Sequence, residues 1–259
     1  MFSARSTAGK ARFLGQMRLV RATPCILAIT ASLAYAADTN ALSMSAEEVV
    51  RQLVEMDQGR ASALGRYVSE RRYVAENRKF SKRAEVTVRE SYVPPDQKEL
   101  SVTSETGSTV VRRRVIAKLI EAELDAVRDA NRDQTHVTPE NYTFQLAGTE
   151  QVDGYSCFVL EVNPKIPKKY LMRGRIWVDT SDFAIVRMEG SPAKNPSVWT
   201  REVHFIRRYE KHGPFWLPAS LESESKIVIA GTSTLKIEYS DYRIEPSVEP
   251  SVADAKMNK

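Results

Sequence analysis

The chain has 259 residues, with 38 Lys or Arg against 33 Asp or Glu, a formal net charge of +5, three His and two Cys. The basic surplus is local: Arg5, Lys10, Arg12, Arg18 and Arg21 lie in the first 36 residues, which contain no Asp or Glu, so the remainder balances at 33 basic to 33 acidic residues. The basic pI near 9.1 therefore gives no ground for a nucleic-acid partner or an anionic surface, since the charge belongs to one terminal segment.

That segment runs from its arginines into an apolar stretch, Cys25 to Leu33, and then Ala34-Tyr35-Ala36 before Ala37. Basic flank, short apolar run and A-x-A site form a secretory signal. The apolar run is shorter than the roughly 20 residues that cross a bilayer, so residues 1–36 are expected to be removed after Ala36 and the rest exported. Cys25 stands at the start of the apolar run, where an acylated cysteine would follow it. Cys157 then remains alone, which excludes an intramolecular disulfide, and its strand-like surroundings predict a buried, inert thiol.

Some 220 further residues without a Gly/Ser linker fit one domain. Ser45-Ala46-Glu47-Glu48 is a capping box, and Val49, Val50, Leu53 and Val54 give the helix it opens one apolar face, predicted to run to about residue 64 with Gly59 as a weak point. Strands follow at 66–76, 83–92 (stopped by Pro94-Pro95) and 99–105, with a turn at Thr106-Gly107-Ser108, an antiparallel meander. A second amphipathic helix is predicted over 115–130, with Ile116, Leu119, Ile120, Glu123 or Leu124, and Val127 at helical spacing and Glu121, Glu123, Asp125 and Asp129 among its charges. Arg112, Arg113 and Arg114 precede it, where the helix dipole disfavours cations. They are expected at the end of the preceding strand or in solvent, and no aromatic platform accompanies them for nucleic acid.

From residue 142 the chain is strands: 142–149, 155–163, 170–179, 183–189, 199–209, 220–230 and 232–242. In the last, Leu235, Ile237 and Tyr239 alternate with Lys236, Glu238 and Ser240. Asp179-Thr180-Ser181-Asp182 and Lys211-His212-Gly213-Pro214 are turns, and Pro218, lacking an N–H, marks a bend or a sheet edge. Residues 245–259 contain too little apolar content to bury and are expected to be disordered. About ten antiparallel strands and two one-faced helices are most simply satisfied by one large, curved antiparallel sheet whose concave face is lidded by the helices.

Catalytic signals are weak. There is no G-x-S-x-G elbow, HExxH, P-loop or paired-cysteine motif, and turn chemistry accounts for Asp179 and Asp182. His204 and His212, with Glu202 and Glu210, do not have a spacing that imposes a metal site. No enzymatic activity, metal or cofactor is expected.

The N-terminal helix and meander, the inserted helix, the hairpin GRIWVD…DFAIVRMEG and the strand ending HGPFWLP, all behind a signal segment, resemble the superfamily of outer-membrane lipoprotein-sorting proteins, which includes LolA-type carriers, LolB-type receptors and the sensing domain of RseB. The likeness covers about residues 45–244, and residues 37–244 are taken as the LolA-like domain. It implies an open barrel with helices at its mouth and an apolar cavity for lipoprotein acyl chains or another amphipathic ligand, held because each buried methylene contributes about 0.8 kcal/mol. On that resemblance Phe158, Leu160, Trp177, Phe205, Leu235 and Ile237 are the expected cavity walls, and Leu53, Ile116, Leu119 and Ile120 the helical lid. The expected function is non-catalytic binding or carriage in the periplasm. The alternative is an RseB-like sensor that binds a membrane-anchored envelope protein.

Overall fold

The computed structural model describes residues 44–127, 135–195, 197 and 200–247. The expected signal segment, Asp129, Trp199 and residues 248–259 of the expected tail lie outside the described residues.

Helix α1 spans Ala46–Ala63, and the hydroxyl of Ser45 accepts from the Glu48 amide at 3.2 Å, the N-terminal half of the expected capping arrangement. Ten strands follow: β1 (Leu64–Asn77), β2 (Lys82–Val93), β3 (Gln97–Gly107), β4 (Tyr142–Val152), β5 (Tyr155–Pro164), β6 (Met172–Asp179), β7 (Ile185–Pro192), β8 (Thr200–His212), β9 (Phe215–Ile227) and β10 (Gly231–Pro246). They form one antiparallel sheet in the order β3-β2-β1-β10-β9-β8-β7-β6-β5-β4, curved and unclosed, with β3 and β4 as its edges. Neighbours in sequence are neighbours in the sheet except at one connection. From β3 the chain crosses to the opposite edge, β4, and meanders back until β10 pairs with β1. The inserted helix lies on that crossover.

Four local outcomes depart from the sequence reading. The inserted helix begins at Thr109, as α2 (Thr109–Val111), a π-helical turn (Arg112–Ile116) and α3 (Ala117–Ala126). The three arginines are therefore within the helix and not at the end of β3. Arg113 and Arg114 are exposed, while Arg112 pairs with Glu105 on β3 and its guanidinium donates to the Thr109 hydroxyl at 3.1 Å, partners that offset the unfavourable dipole. Pro218 is inside β9, opposite Tyr209, where the β8–β9 register shifts between Arg208 and Tyr209. A bulge in a central strand thus absorbs the missing N–H. Finally, Glu245 and Pro246 belong to β10, opposite Arg66 and Leu64, and Ser247 donates its amide to the Ala63 carbonyl at 2.8 Å. The sheet extends two residues beyond 244, and Ser247 ties its end to α1.

The strand ladders fix two faces. Phe158, Leu160 and Val162 of β5 align with Val178 and Ile176 of β6, then Met188, Phe205, Leu221 and Ile237, and so across to Tyr73 and Val86. On this face α1 covers one end, where Val49, Val50 and Leu53 pack against Phe158, Leu160, Val162, Ile176 and Val178. The inserted helix covers the other end, where Val111 and Ile116 pack against Tyr73, Ala75, Val86, Val88 and Ile237. The face away from the helices carries a smaller cluster of Val152, Cys157, Val159, Trp177 and Val186. Gly174 and Gly190 face each other between β6 and β7. Gly174 has φ +151, and a Cβ there would meet the Glu189 carbonyl at 2.1 Å, so the close approach of the strands at this point requires glycine.

Candidate ligand-binding face

The helix-bearing face has three zones. Two are the dry clusters beneath α1 and beneath the inserted helix. Between them, on β7 to β10, lies a strip of half-buried side chains at the margins of both clusters. Met188 and Phe205 form the inner margin of the α1 cluster, and Leu221, Leu235 and Tyr239 that of the other; all five are half-buried, as are Arg207 and Tyr209 between them. The Tyr209 hydroxyl donates to Met188 Sδ at 3.3 Å.

Most of the residues expected to handle ligand fall on this face. Phe158 and Leu160 are buried under α1 together with Leu53. Phe205 and Leu235 border the strip, and Ile237 packs with Ile116 and Ile120. Leu119 is half-exposed on α3. Trp177 requires correction. It pairs with Val159 on the opposite face, its indole N–H donates to Glu150 at 2.8 Å, and Arg187 lies over its ring at 4.7 Å. Strand alternation separates it from Ile176 and Val178, so it does not wall the space under the helices. Two open grooves, about 530 Å³ bordered by Arg173, Pro192, Arg201 and His204 and about 400 Å³ bordered by His212, Phe215, Tyr242 and Ile244, touch none of the expected residues.

The sequence reading missed a polar cluster on the same face. Arg71 of β1, fully buried, donates from Nε to Glu90 at 2.6 Å and pairs with Glu90 and Glu123 through its other nitrogens. Lys98 bonds Glu90 at 3.1 Å and Glu123 at 2.9 Å. Tyr67 and Ser69 donate to Glu90 at 3.1 and 2.8 Å, and Tyr73 donates to Glu123 at 3.2 Å. Arg71 also lies over the Tyr239 ring at 4.9 Å. Burial pushes the Glu123 carboxyl up, but Lys98 and Arg71 outweigh it and hold it down at about 2. Burial, and then the Glu90 charge, raises the Tyr67 phenol well above its usual range. Every carboxylate of the cluster is matched, as a buried charge requires. The strand pattern Tyr67, Ser69, Arg71, Tyr73, Ala75 was the available signal, a single face of β1 mixing polar and apolar residues.

The turn residues behave as their chemistry dictates. Asp179 accepts from the amides of Ser181 and Asp182 at 3.1 and 2.7 Å, and Asp182 accepts from Trp216 at 2.9 Å and Lys211 at 2.5 Å. Arg60 at the end of α1 donates to the Asp182 and Phe183 carbonyls at 2.9 and 3.1 Å, docking the helix on the hairpin. Burial pushes the Cys157 thiol up to about 12. Among the described residues no group of three or more His, Cys, Asp or Glu is placed to hold a metal ion, and no helix is long and apolar enough to cross a membrane.

The structural neighbours are a DUF1329 family protein and members of the LolA superfamily. The chain is similar to the DUF1329 family protein from Desulfovibrio piger at 16% identity, covering 83% of this chain and 99% of that one with a TM-score of 0.40. It is similar to a domain of the outer membrane lipoprotein-sorting type from Vibrio parahaemolyticus at 13% identity, with 82% and 98% covered and a TM-score of 0.42. A LolA superfamily protein from Nitrosomonas europaea gives 13% identity, 81% and 97% coverage and a TM-score of 0.38. At these identities and TM-scores the likenesses carry no weight for the ligand of this chain. A family model described as "Uncharacterized protein" matches residues 128–252. No curated protein matches the sequence.

Proposed function

We propose that this protein is a non-catalytic periplasmic binding protein that takes an acyl-bearing or otherwise amphipathic ligand on the helix-bearing face of its sheet, as lipoprotein carriers do. The observation that carries this reading is the strip between the two helical covers. Met188, Phe205, Leu221 and Leu235 are only half-buried there, at the margins of two apolar clusters whose covering helices are anchored at separate places. An acyl chain laid on the strip removes that apolar surface from water at about 25 cal/mol per Å². Outward displacement of α1 would add Phe158 and Leu160 to the wall, and displacement of the inserted helix would add Ile237. Leu53, Ile116, Leu119 and Ile120 are then the lid side chains, and ligand shifts the balance only by binding the opened form better. Trp177 has no part in this arrangement. Export through residues 1–36 supplies the compartment.

The test is extraction and mass spectrometry of protein purified from the cell envelope, together with titration of a neutral detergent monomer. A co-purifying amphiphile and saturable detergent binding, weakened by Phe205→Ala, are expected. Protein that is always empty and binds no detergent overturns the reading.

A further inference from the structure

Among the described residues, the helix-bearing face holds a third cation for which no carboxylate of the buried cluster is left. Arg71 and Lys98 are matched by Glu90 and Glu123. The third cation, Arg207, lies on β8 in the middle of that strip, opposite Met188 and Leu221. Its Nε is shielded from water and has no hydrogen-bond partner. The carboxylate that acts on it, Glu123, already accepts from Arg71, Lys98 and Tyr73. Its other partners are phenols: Tyr209, with which its side chain also hydrogen-bonds, and Tyr239, which burial keeps neutral. A guanidinium placed in partly apolar surroundings without an anion is costly. Its planar fork of donors matches the two oxygens of a carboxylate or phosphate, a geometry that a sugar or an uncharged head group does not satisfy.

We propose that the ligand of this face is an anionic amphiphile whose carboxylate or phosphate head group pairs with Arg207 while its chain lies over Phe205 and Met188 on one side or Leu221 and Leu235 on the other. This rests on the amphiphile-binding reading above and names the head group it leaves open. The neutral balance of the buried cluster matters here, because Glu90 and Glu123 are held by their own cations and do not repel the incoming anion at full strength. Arg207 is thus the specificity-determining residue, and the aromatic and aliphatic side chains around it supply the chain-binding surface.

Calorimetric titration of the full exported protein with octanoate, octyl phosphate and octyl glucoside, all below micelle formation, tests this. The charged probes are expected to bind at least about tenfold more tightly than the glucoside, the gain of a charge-assisted hydrogen-bond pair. Arg207→Gln should abolish that difference, and Arg207→Lys should keep part of it. Which anion binds better in the wild type distinguishes a carboxylate from a phosphate source. Equal affinity for all three probes in the wild type, or an anion preference that survives in a folded Arg207→Gln protein, overturns the proposal and leaves the amphiphile-binding reading standing. Failure of all three probes to bind overturns both.

Discussion

The guanidinium of Arg71, on the second turn-length of β1, bonds Glu123 of α3 and so ties the inserted helix to the sheet through a buried ion pair. Glu90 completes the cluster from β2 with none of its side chain exposed. Truncating one partner of such a pair leaves the other charge buried and unmatched, at a cost of about 3–5 kcal/mol. Glu90→Ala is therefore expected to lower the denaturant midpoint strongly, whereas Glu85→Ala, which removes a half-exposed partner of Arg72 on the other face, should cost about 0.5 kcal/mol. Similar losses for the two variants would show that the buried cluster is not a main support of the sheet.

Acid should loosen the inserted helix before it unfolds the sheet. Glu123 ordinarily titrates at 4.5 and is held at about 2 in the folded protein. A depressed carboxylate contributes stability that is fully present above its unfolded value and is lost as pH falls through its folded value. The contribution, on the order of 3 kcal/mol at most, should be intact above pH 4.5 and fade between there and pH 2. Denaturation of wild type and Glu123→Gln followed against pH checks the sign, since the gap between them should close on acidification. A gap that stays constant over that window contradicts the assignment.

Cys157 is fully buried, and its thiol is pushed up to about 12. The reactive thiolate is then scarce at neutral pH. A thiol reagent is expected to label it only in denaturant, with labelling of the native protein slowed to the rate of opening. Rapid stoichiometric labelling of native protein would place it at an accessible site.

Trp177 and Phe205 lie on opposite faces of the sheet. Phe205→Ala should weaken amphiphile binding about tenfold, the loss expected from removing an aromatic contact surface, and Trp177→Phe should leave it unchanged while lowering stability by about 1 kcal/mol through the lost Glu150 bond. Intrinsic fluorescence quenching by a brominated detergent gives an independent check, because Trp177 should be spared.

The strands were legible because their side chains obey a period of two. Leu235, Ile237 and Tyr239 against Lys236, Glu238 and Ser240 fixed both the existence of β10 and the face it presents. The same rule applied to Ile176, Trp177 and Val178 separates Trp177 from its neighbours, so that error came from choosing aromatic residues over alternation. The early start of the inserted helix was hidden by three arginines whose partners, such as Glu105 for Arg112, are supplied by the fold. The buried cluster was least legible of all. Arg71 meets Glu90 and Glu123 across 19 and 52 residues of chain, and a charged residue in a strand looks like solvent face until its long-range partner is known. Arg207 was hidden for the same reason, since only the sheet places it between Met188 and Leu221.

The central claim is that the strip between the two helical covers binds amphiphile. Photo-crosslinking with an acyl-chain diazirine probe, followed by peptide mapping, tests it most directly. Labels on Met188, Phe205, Leu221 or Leu235, competed away by unlabelled detergent, are the predicted result. Labels confined to Trp177, Trp216 and the opposite face, or no competed labelling at all, would contradict it.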